Sequence, residues 1–331
     1  MKVLVLGGSV FLSATLALDF LERGHDVTCL SRPPGTGVPD GARHVRADRA
    51  VGPQAYDGVR EEWDAVVDVA TNPHFVRDAL SVLSDRTRHW TYISSCSVYA
   101  DQNVTDADEN AVVIEPLDDA QTSGPGNYGA SKSASEALCG TLRGGRAFIV
   151  RPGLIVGPGD TSDRGGYWPA RFARGDAEVL VPEALGLWTQ QIDVRDLSRW
   201  IVACVESDTT GVMNAVGDSV PLVEVIERIR RVVNVTTSVR VAPDRWLQVN
   251  GVEPWAGPES LPLWIPLGTG FDGFSRRSCA LAQRHGLVLR PLEETWTACL
   301  DDERVRGLER ERRAGLSAER ESQLRDALRA G

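Results

Sequence analysis

The stretch KVLVLGGSVFLS, residues 2–13, decides the fold of this 331-residue chain. Its first five residues, Lys2–Leu6, form a short apolar run that is typical of a strand buried on both faces. Gly7 and Gly8 supply a tight turn, and apolar residues then recur at helical spacing as far as Leu21. The pattern predicts a buried strand, a glycine turn and an amphipathic helix.

The same alternation of strands and helices continues through the first 150 residues. A helix is predicted over residues 128–142, and a shorter helical pattern surrounds residues 75–83. Further buried strands are predicted at residues 26–30, 43–48, 65–69, 90–94 and 147–150. Strands that alternate with helices in this way indicate βαβ units, and hence an α/β fold with a doubly wound parallel sheet.

The texture of the chain changes after Arg151. We predict that the sheet domain comprises residues 1–157 plus about 190–218, and that residues of about 158–189 and 219–331 form a smaller α+β region that binds the substrate. Six of the nine tryptophans lie between residues 160 and 270. They indicate either a second core or a lid over an apolar or ring-shaped substrate, and the sequence leaves both interpretations open.

Composition and charge exclude several classes of protein. The formal net charge of −10 argues against nucleic acid as a partner, since nucleic-acid binding requires a basic surface. The six cysteines are far apart and form no CxxC or His/Cys cluster, so neither a metal site nor a disulfide framework is expected. No apolar segment is long enough to span a membrane. The N-terminus resembles a signal peptide, but the strand–turn–helix interpretation fits it better, and we expect a cytoplasmic protein.

Tyr128 and Lys132 are the first candidates for catalysis. Residues four apart share one face of a helix, so the two side chains point the same way. A phenol has a pKa near 10, and its use as an acid or base near neutral pH requires a pKa lower by roughly 3. This shift corresponds to about 4 kcal/mol of extra stabilisation of the phenolate. A nearby ammonium does this directly. Lys132 is one of two lysines in the chain, although a surface Tyr and Lys on an amphipathic helix is the alternative.

A hydroxyl-rich stretch, Ser94-Ser95-Cys96-Ser97, follows the predicted strand at residues 90–94. Ligands of open α/β sheets bind outside the carboxyl ends of the strands, so these hydroxyls face the expected site. Taken alone, the stretch is no more than a serine-rich turn.

Together with Asp48, Arg151-Pro152-Gly153 and the segment 192–196, these motifs resemble the extended short-chain dehydrogenase/reductase superfamily, in its NAD(P)-dependent epimerase/dehydratase branch. The resemblance implies a Rossmann-type sheet with a smaller C-terminal substrate-binding region. It implies that Tyr128 exchanges a proton with the substrate, that Lys132 holds the nicotinamide ribose and lowers the tyrosine pKa, and that Ser95 hydrogen-bonds the reacting oxygen. A homodimer is a further expectation of the family.

The resemblance also implies where a dinucleotide binds. The residues expected to contact it are Gly7, Ser9, Phe11, Leu12, Ser31, Arg32, Asp48, Ala70, Thr71, Tyr128, Lys132, Pro152 and Leu154. Ser31-Arg32 ends the second strand without an acid, and a hydroxyl with a guanidinium suits a phosphate, so NADP(H) is favoured over NAD(H). Alternatively, Arg32 is a surface residue at the start of a proline-rich loop.

The glycine turn departs from the family pattern, because Val10 and Ser13 occupy positions where glycines are expected. Val10 adds bulk where the backbone approaches phosphate, whereas Ser13 adds a hydroxyl that is able to reach one.

Three functions remain in competition. The first is an NADP(H)-dependent oxidoreductase that reduces a carbonyl or oxidises a secondary alcohol of a small molecule. The second is a nucleotide-sugar epimerase or dehydratase that uses bound NAD(P). The third is a member that has lost the cofactor and has a non-redox or binding role. The candidates for substrate contacts are Cys96, Ser97, Tyr167, Trp168 and Trp255.

Overall fold

Strands alternate with helices through residue 215 of the computed structural model, which describes residues 1–32, 37–175 and 178–330. The elements of this part are β1 (Lys2–Leu6), α1 (Phe11–Glu22), β2 (Asp26–Ser31), β3 (Arg43–Arg46), β4 (Trp63–Asp68), α2 (Pro73–Leu83), β5 (Thr87–Ile93), α3 (Tyr128–Arg143), β6 (Ala147–Pro152), β7 (Leu154–Val156), α4 (Tyr167–Ala173), β8 (Glu178–Pro182), β9 (Trp188–Asp193), α5 (Val194–Glu206) and β10 (Gly211–Ala215). The predicted strands and helices coincide with these elements to within a few residues at their ends.

Seven of these strands form one sheet in the order β10-β6-β5-β4-β1-β2-β3. Every neighbouring pair in it is parallel. The strand order reverses between β1 and β4, so the loops that leave their carboxyl ends diverge and open a crevice there. The predicted doubly wound α/β sheet is therefore confirmed, and its switch point lies beside the glycine turn.

Helices cover both faces of the sheet, as a fully parallel sheet requires. Helices α1 and α5 pack together on one face, and α2 and α3 pack together on the other. Successive residues of β1 point alternately into the two resulting cores, with Val3 and Val5 in one and Leu4 and Leu6 in the other. All four are buried, which is why this strand is apolar without alternation.

The rest of the chain builds a smaller α+β region. Its elements are β11 (Ser219–Pro221), α6 (Leu222–Val233), β12 (Ser238–Ala242), α7 (Asp244–Val249), β13 (Glu253–Pro254), β14 (Ser260–Leu261), α8 (Ala280–Arg284), α9 (Leu292–Arg306) and α10 (Ala318–Ala330). Small sheets join β11, β9 and β7, then β12 and β8, then β13 and β14. Helices α4, α6 and α9 pack on one another around a second hydrophobic core. Helix α8 instead packs against the core of the large sheet, through Ala282.

The last helix, α10, is more firmly attached than its charged sequence suggests. The Ser317 hydroxyl accepts a hydrogen bond from the Arg320 N–H at 3.1 Å, in the manner of an N-cap. Glu321 and Leu324 are buried, and Glu321 forms an ion pair with Arg171 of α4. None of the helices within the described ranges has the length and apolar character that a membrane span requires.

Candidate functional site

A cavity of about 1490 Å³ opens at the carboxyl ends of the central strands. It extends from the glycine turn after β1, past the start of α3, to Trp255 and Arg313 of the smaller region. Pockets for single small ligands measure roughly 300–1,000 Å³. This cavity therefore has the volume to hold a dinucleotide together with a second molecule.

The glycine turn forms one end of the cavity. Gly7 and Gly8 adopt φ angles of 134° and 82°, a region that disfavours side chains. A Cβ on Gly8 would also lie 2.4 Å from Sγ of Cys29 in β2. Both positions therefore require glycine, whichever ligand the turn receives.

Val10 and Ser13 complete the turn in place of glycines. The Ser13 hydroxyl donates to the Val10 carbonyl at 2.8 Å, so it closes the first turn of α1 and is not directed at a ligand. Val10 is 54% exposed and forms part of the cavity wall. Its side chain therefore does not close the cavity above the turn. The side chains of Phe11 and Leu12 pack against the sheet core and do not line the cavity. The prediction that they contact a cofactor therefore rests on their backbone N–H groups at the start of α1, and it stays a prediction.

The N-terminus of α1 faces this end of the cavity. The first N–H groups of a helix have no intrahelical acceptor, and together with the helix dipole they bind phosphate groups. Most of the other predicted cofactor residues also line the cavity: Gly7, Ser9, Ser31, Arg32, Asp48, Ala70, Thr71, Tyr128, Pro152 and Leu154. Lys132 is not among the lining residues. This lining fits a dinucleotide.

Sequence reasoning missed an ion pair at the same end. Arg49 lines the cavity and donates to both carboxylate oxygens of Asp68, at 2.7 and 2.8 Å. Asp68 is fully buried at the end of β4, and Arg49 also donates to the carbonyl of Phe75. The pair ties the loop after β3 to the end of β4, and two strands, β1 and β2, lie between β3 and β4 in the sheet. No local sequence pattern predicts this ion pair, because Arg49 and Asp68 are 19 residues apart.

Tyr128 and Ser95 both line the cavity, and their hydroxyl groups lie close to each other. Tyr128 is the first residue of α3, and Gly129 follows it in close contact with the serine loop, since a Cβ there would lie 2.3 Å from the carbonyl oxygen of Ser97. The small residue lets the helix bring the phenol to Ser95. Burial raises the pKa of Tyr128, while the nearby Ser95 hydroxyl and Arg164 guanidinium oppose that rise.

Lys132 lies beneath the floor of the cavity and is 3% exposed. Its Nζ donates to the carbonyls of Ala70 and Ile93, at 2.9 and 2.6 Å, and so links the ends of β4 and β5. Burial lowers the pKa of this ammonium to about 8. The positive charge that lowers the pKa of Tyr128 belongs to Arg164. The effect of Lys132 on the pKa of the phenol therefore stays a prediction.

A buried network behind the serines separates the roles of Ser94 and Ser95. The Ser94 hydroxyl donates to the Glu136 carboxylate, which also accepts from Arg151 at 3.0 and 2.7 Å. Ser94 is therefore committed to the protein interior. The Ser95 hydroxyl donates to the Ser97 hydroxyl and accepts from the Ser97 N–H, both at 3.1 Å, and it lines the cavity.

The far end of the cavity is formed by residues that the sequence analysis did not single out, apart from Trp255. Ser162, Arg164, Phe274 and Arg313 line it with Trp255, while Ser97 and Cys96 lie nearer the phenol. The Cys96 thiol donates to the Arg151 carbonyl at 3.2 Å, and burial raises its pKa to about 12. Cys96 is thus a packing residue and not a nucleophile.

Tyr167 and Trp168, predicted to contact the substrate, lie elsewhere. Both are buried in the second core, and the Trp168 indole donates to the carbonyl of Pro262 at 2.7 Å. The prediction is wrong because the loop after β7 ends in helix α4, which turns both rings toward α6 and α9 and away from the cavity.

The described residues contain no group of His, Cys, Asp and Glu side chains that is suited to a metal ion. All six cysteines are buried and unpaired, and burial raises the pKa of each thiol. The chemistry available to this site is therefore that of Tyr128, Ser95, Lys132 and the arginines around them.

Comparison with known proteins agrees with this geometry. The model of the NAD dependent epimerase/dehydratase family matches residues 3–216. A search of curated protein sequences finds no match. The chain resembles the UDP-glucuronic acid 4-epimerase of Bacillus cereus in complex with NAD, with a TM-score of 0.68 and 15% identity over 93% of this chain and 100% of that one.

Two further solved structures are similar. A UDP-glucose 4-epimerase of Stenotrophomonas maltophila has a TM-score of 0.67 and 19% identity, over 92% of this chain and 98% of that one. The protein RMD of Pseudomonas aeruginosa, complexed with NADPH, has a TM-score of 0.63 and 20% identity, over 91% and 99%. At these identities the likeness shows a shared fold.

Proposed function

The chain belongs to the NAD dependent epimerase/dehydratase family, and on this premise we propose that it is a nucleotide-sugar epimerase or dehydratase that uses a tightly held nicotinamide dinucleotide. The observation that carries the proposal is that Ser95 and Tyr128 line one cavity with room for both a dinucleotide and a sugar. The open space above Val10 speaks against a member that has lost its cofactor.

The dinucleotide would lie along the carboxyl ends of the strands. Its pyrophosphate would rest on the N-terminus of α1, and its adenosine end would lie between Ser31, Arg32 and Asp48. An ammonium has three N–H donors, and Lys132 uses two of them on the carbonyls of Ala70 and Ile93. The third is left for the ribose of the nicotinamide. When bound, the nicotinamide supplies reversible two-electron redox chemistry at a carbon atom.

Tyr128 would act on the oxygen of the reacting carbon. As a phenolate it takes the proton of a substrate hydroxyl at its Oη, and as a phenol it returns that proton when the product forms. The Ser95 hydroxyl donates to the same oxygen and fixes its position. Because both groups act on a single oxygen, they serve oxidation and reduction equally, as an epimerase requires.

A second candidate is an NADP(H)-dependent reductase of a small carbonyl compound. The observation that favours it is the end of β2, where Ser31 and Arg32 line the cavity and neither carries a carboxylate. A guanidinium with a hydroxyl suits the 2′-phosphate of NADP(H). A reductase would release its oxidised cofactor after each turnover, whereas an epimerase would retain it.

The test begins with the nucleotide that copurifies with the protein, identified by mass. The protein is then incubated with UDP-glucose and UDP-glucuronic acid, and its products are separated by chromatography. We expect epimerised or dehydrated product without net consumption of cofactor, and Tyr128→Phe should abolish turnover while leaving dinucleotide binding intact. If turnover survives this substitution, a residue other than Tyr128 is catalytic. If simple ketones cause net oxidation of NADPH, the reductase replaces the proposed epimerase or dehydratase.

A further inference from the structure

Two arginines face the substrate end of the cavity without a counter-ion. Within residues 1–32, 37–175 and 178–330, no carboxylate pairs with the guanidinium of Arg164 or of Arg313. Nε of Arg164 donates to the Ser162 hydroxyl at 3.1 Å, and its two terminal amino groups have no acceptor among the described residues. Most arginines of the chain form ion pairs, whereas these two line the cavity without one in the part of the chain that the structure describes.

The acidic groups nearest to the two arginines are already engaged. The Asp160 carboxylate accepts from the backbone N–H groups of Ser162 and Gly165, at 2.7 and 3.1 Å. The fully buried carboxylate of Asp163 accepts from the side chains of two other arginines of the C-terminal segment, Arg306 and Arg310. These two carboxylates are therefore already engaged by other partners and do not form ion pairs with Arg164 or Arg313.

Asp163 also fixes where the two arginines stand. It immediately precedes Arg164 in the chain, and it accepts a hydrogen bond from the backbone N–H of Arg313 at 2.8 Å. One carboxylate thus sets the backbone on both sides of this end of the cavity. The two guanidinium groups are held by a frame that is built from distant parts of the sequence.

The guanidinium of Arg164 is also oriented by an aromatic ring. Its central carbon lies 4.9 Å from the centre of the Trp255 ring, which in turn packs edge-on against Phe274 at 5.2 Å. Trp255 adopts φ 70°, a left-handed conformation that costs a bulky residue free energy. The fold maintains this strain at the cavity wall, where the ring holds the guanidinium by a cation–π contact.

Arg164 and Tyr128 line the same cavity, and the charge of Arg164 acts on the phenol. Burial lowers the pKa of Arg164, and Asp160 offsets this only in part. A half-buried cation without a counter-ion is costly to maintain, and an anion that enters with the substrate removes this cost. Arg313 is exposed at the mouth of the cavity.

We propose that the substrate carries a carboxylate on the same ring that Tyr128 acts on, and that Arg164 binds this carboxylate in a bidentate manner. The inference rests on the proposed function and names its substrate class, a nucleotide-linked sugar acid. Arg313, nearer to solvent, meets the phosphates of the nucleotide carrier. Guanidinium and carboxylate match in geometry and charge, which neither a hydroxymethyl group nor a methyl group does.

The test measures binding to the full chain loaded with its dinucleotide. UDP-glucuronic acid and UDP-glucose differ only by a carboxylate in place of a hydroxymethyl group, and calorimetry gives both affinities. The variants are Arg164→Gln and Arg313→Gln, with Arg60→Gln as a control of equal charge change. Arg60 is exposed, pairs with Asp57 and lies outside the cavity.

We expect the unmodified protein to prefer the acid by roughly tenfold or more, the gain typical of hydrogen bonds to charged groups. Arg164→Gln should abolish this preference, Arg313→Gln should weaken both ligands alike, and Arg60→Gln should change neither. Equal affinity for both ligands in the unmodified protein, or binding of neither, would overturn the inference. So would an Arg164→Gln variant that weakens both equally, since Arg164 would then bind the carrier phosphates.

The same experiment separates this inference from the proposed function. A preference for the acid without turnover would refute the proposed reaction and leave the binding assignment standing. Turnover of UDP-glucose without any preference would do the reverse.

Discussion

Replacing Gly129 by alanine tests how closely α3 must approach the serine loop. A Cβ at this position would lie 2.3 Å from the Ser97 carbonyl oxygen and 2.9 Å from Cδ1 of Ile114. The backbone oxygen cannot rotate away, so the helix must retreat by about 1 Å to restore an ordinary contact, and a misplacement of this size costs about 100-fold in rate. Tyr128, the adjacent residue, moves with the helix.

The effect on stability should be much smaller than the effect on rate. Overpacking costs about 1–3 kcal/mol, while exchanging glycine for alanine within a helix returns about 1 kcal/mol. We therefore expect Gly129→Ala to lower the free energy of unfolding by about 0–2 kcal/mol.

Gly140 offers a matched control in the same helix. It is exposed, and a Cβ there would meet nothing within 4 Å. Gly140→Ala should keep full activity and gain up to about 1 kcal/mol of stability. Urea unfolding and initial rates on the active nucleotide sugar measure both quantities. If Gly129→Ala is as active as Gly140→Ala, the contact between α3 and the serine loop does not position the phenol, and the reasoning fails.

Three further predictions concern charged groups. The charge of Arg164 lowers the pKa of Tyr128, and the phenolate form of Tyr128 takes the proton. Arg164→Gln should therefore raise that pKa and move the acidic limb of the kcat/KM profile to higher pH. If the limb does not move, Arg164 has no electrostatic effect on Tyr128. Arg32→Ala should weaken NADPH binding by roughly tenfold or more in calorimetry and leave NADH binding unchanged, whereas equal losses would assign Arg32 no part in choosing the cofactor. Arg171→Met removes the closest cation of the buried Glu321, which keeps the Leu180 N–H at 2.8 Å and Arg325 at 3.8 Å, and should cost about 3–5 kcal/mol in urea unfolding; a cost below about 1 kcal/mol would mean that Arg325 or a proton compensates the carboxylate.

The sequence predicted those features that depend on local spacing. Lys2–Leu6 is apolar because both of its faces are covered, and Gly7 and Gly8 are required by their own φ angles. Ser95 lies two residues beyond the end of its strand, and Tyr128 begins its helix, so topology alone brings them to one crevice.

Features that depend on distant contacts escaped prediction. Arg164 and Arg313 reach the same cavity through a carboxylate whose partners are about 150 residues away, and no periodicity records such a contact. Helical spacing placed Lys132 on the face of Tyr128 but did not show that strand carbonyls engage its ammonium. Trp168 appeared in a loop-rich segment, and its burial depends on helices that follow much later in the chain.

The buried thiols give this protein a built-in reporter of unfolding. Cys29, Cys204 and Cys279 belong to the core on one face of the large sheet, and Cys139 belongs to the core on the other. Cys299 lies on α9, beside the second core. A thiol that is buried with a raised pKa reacts with an alkylating reagent only after its surroundings open. Mass spectrometry of the labelled peptides, without any engineered probe, would therefore give the order in which the three hydrophobic cores unfold.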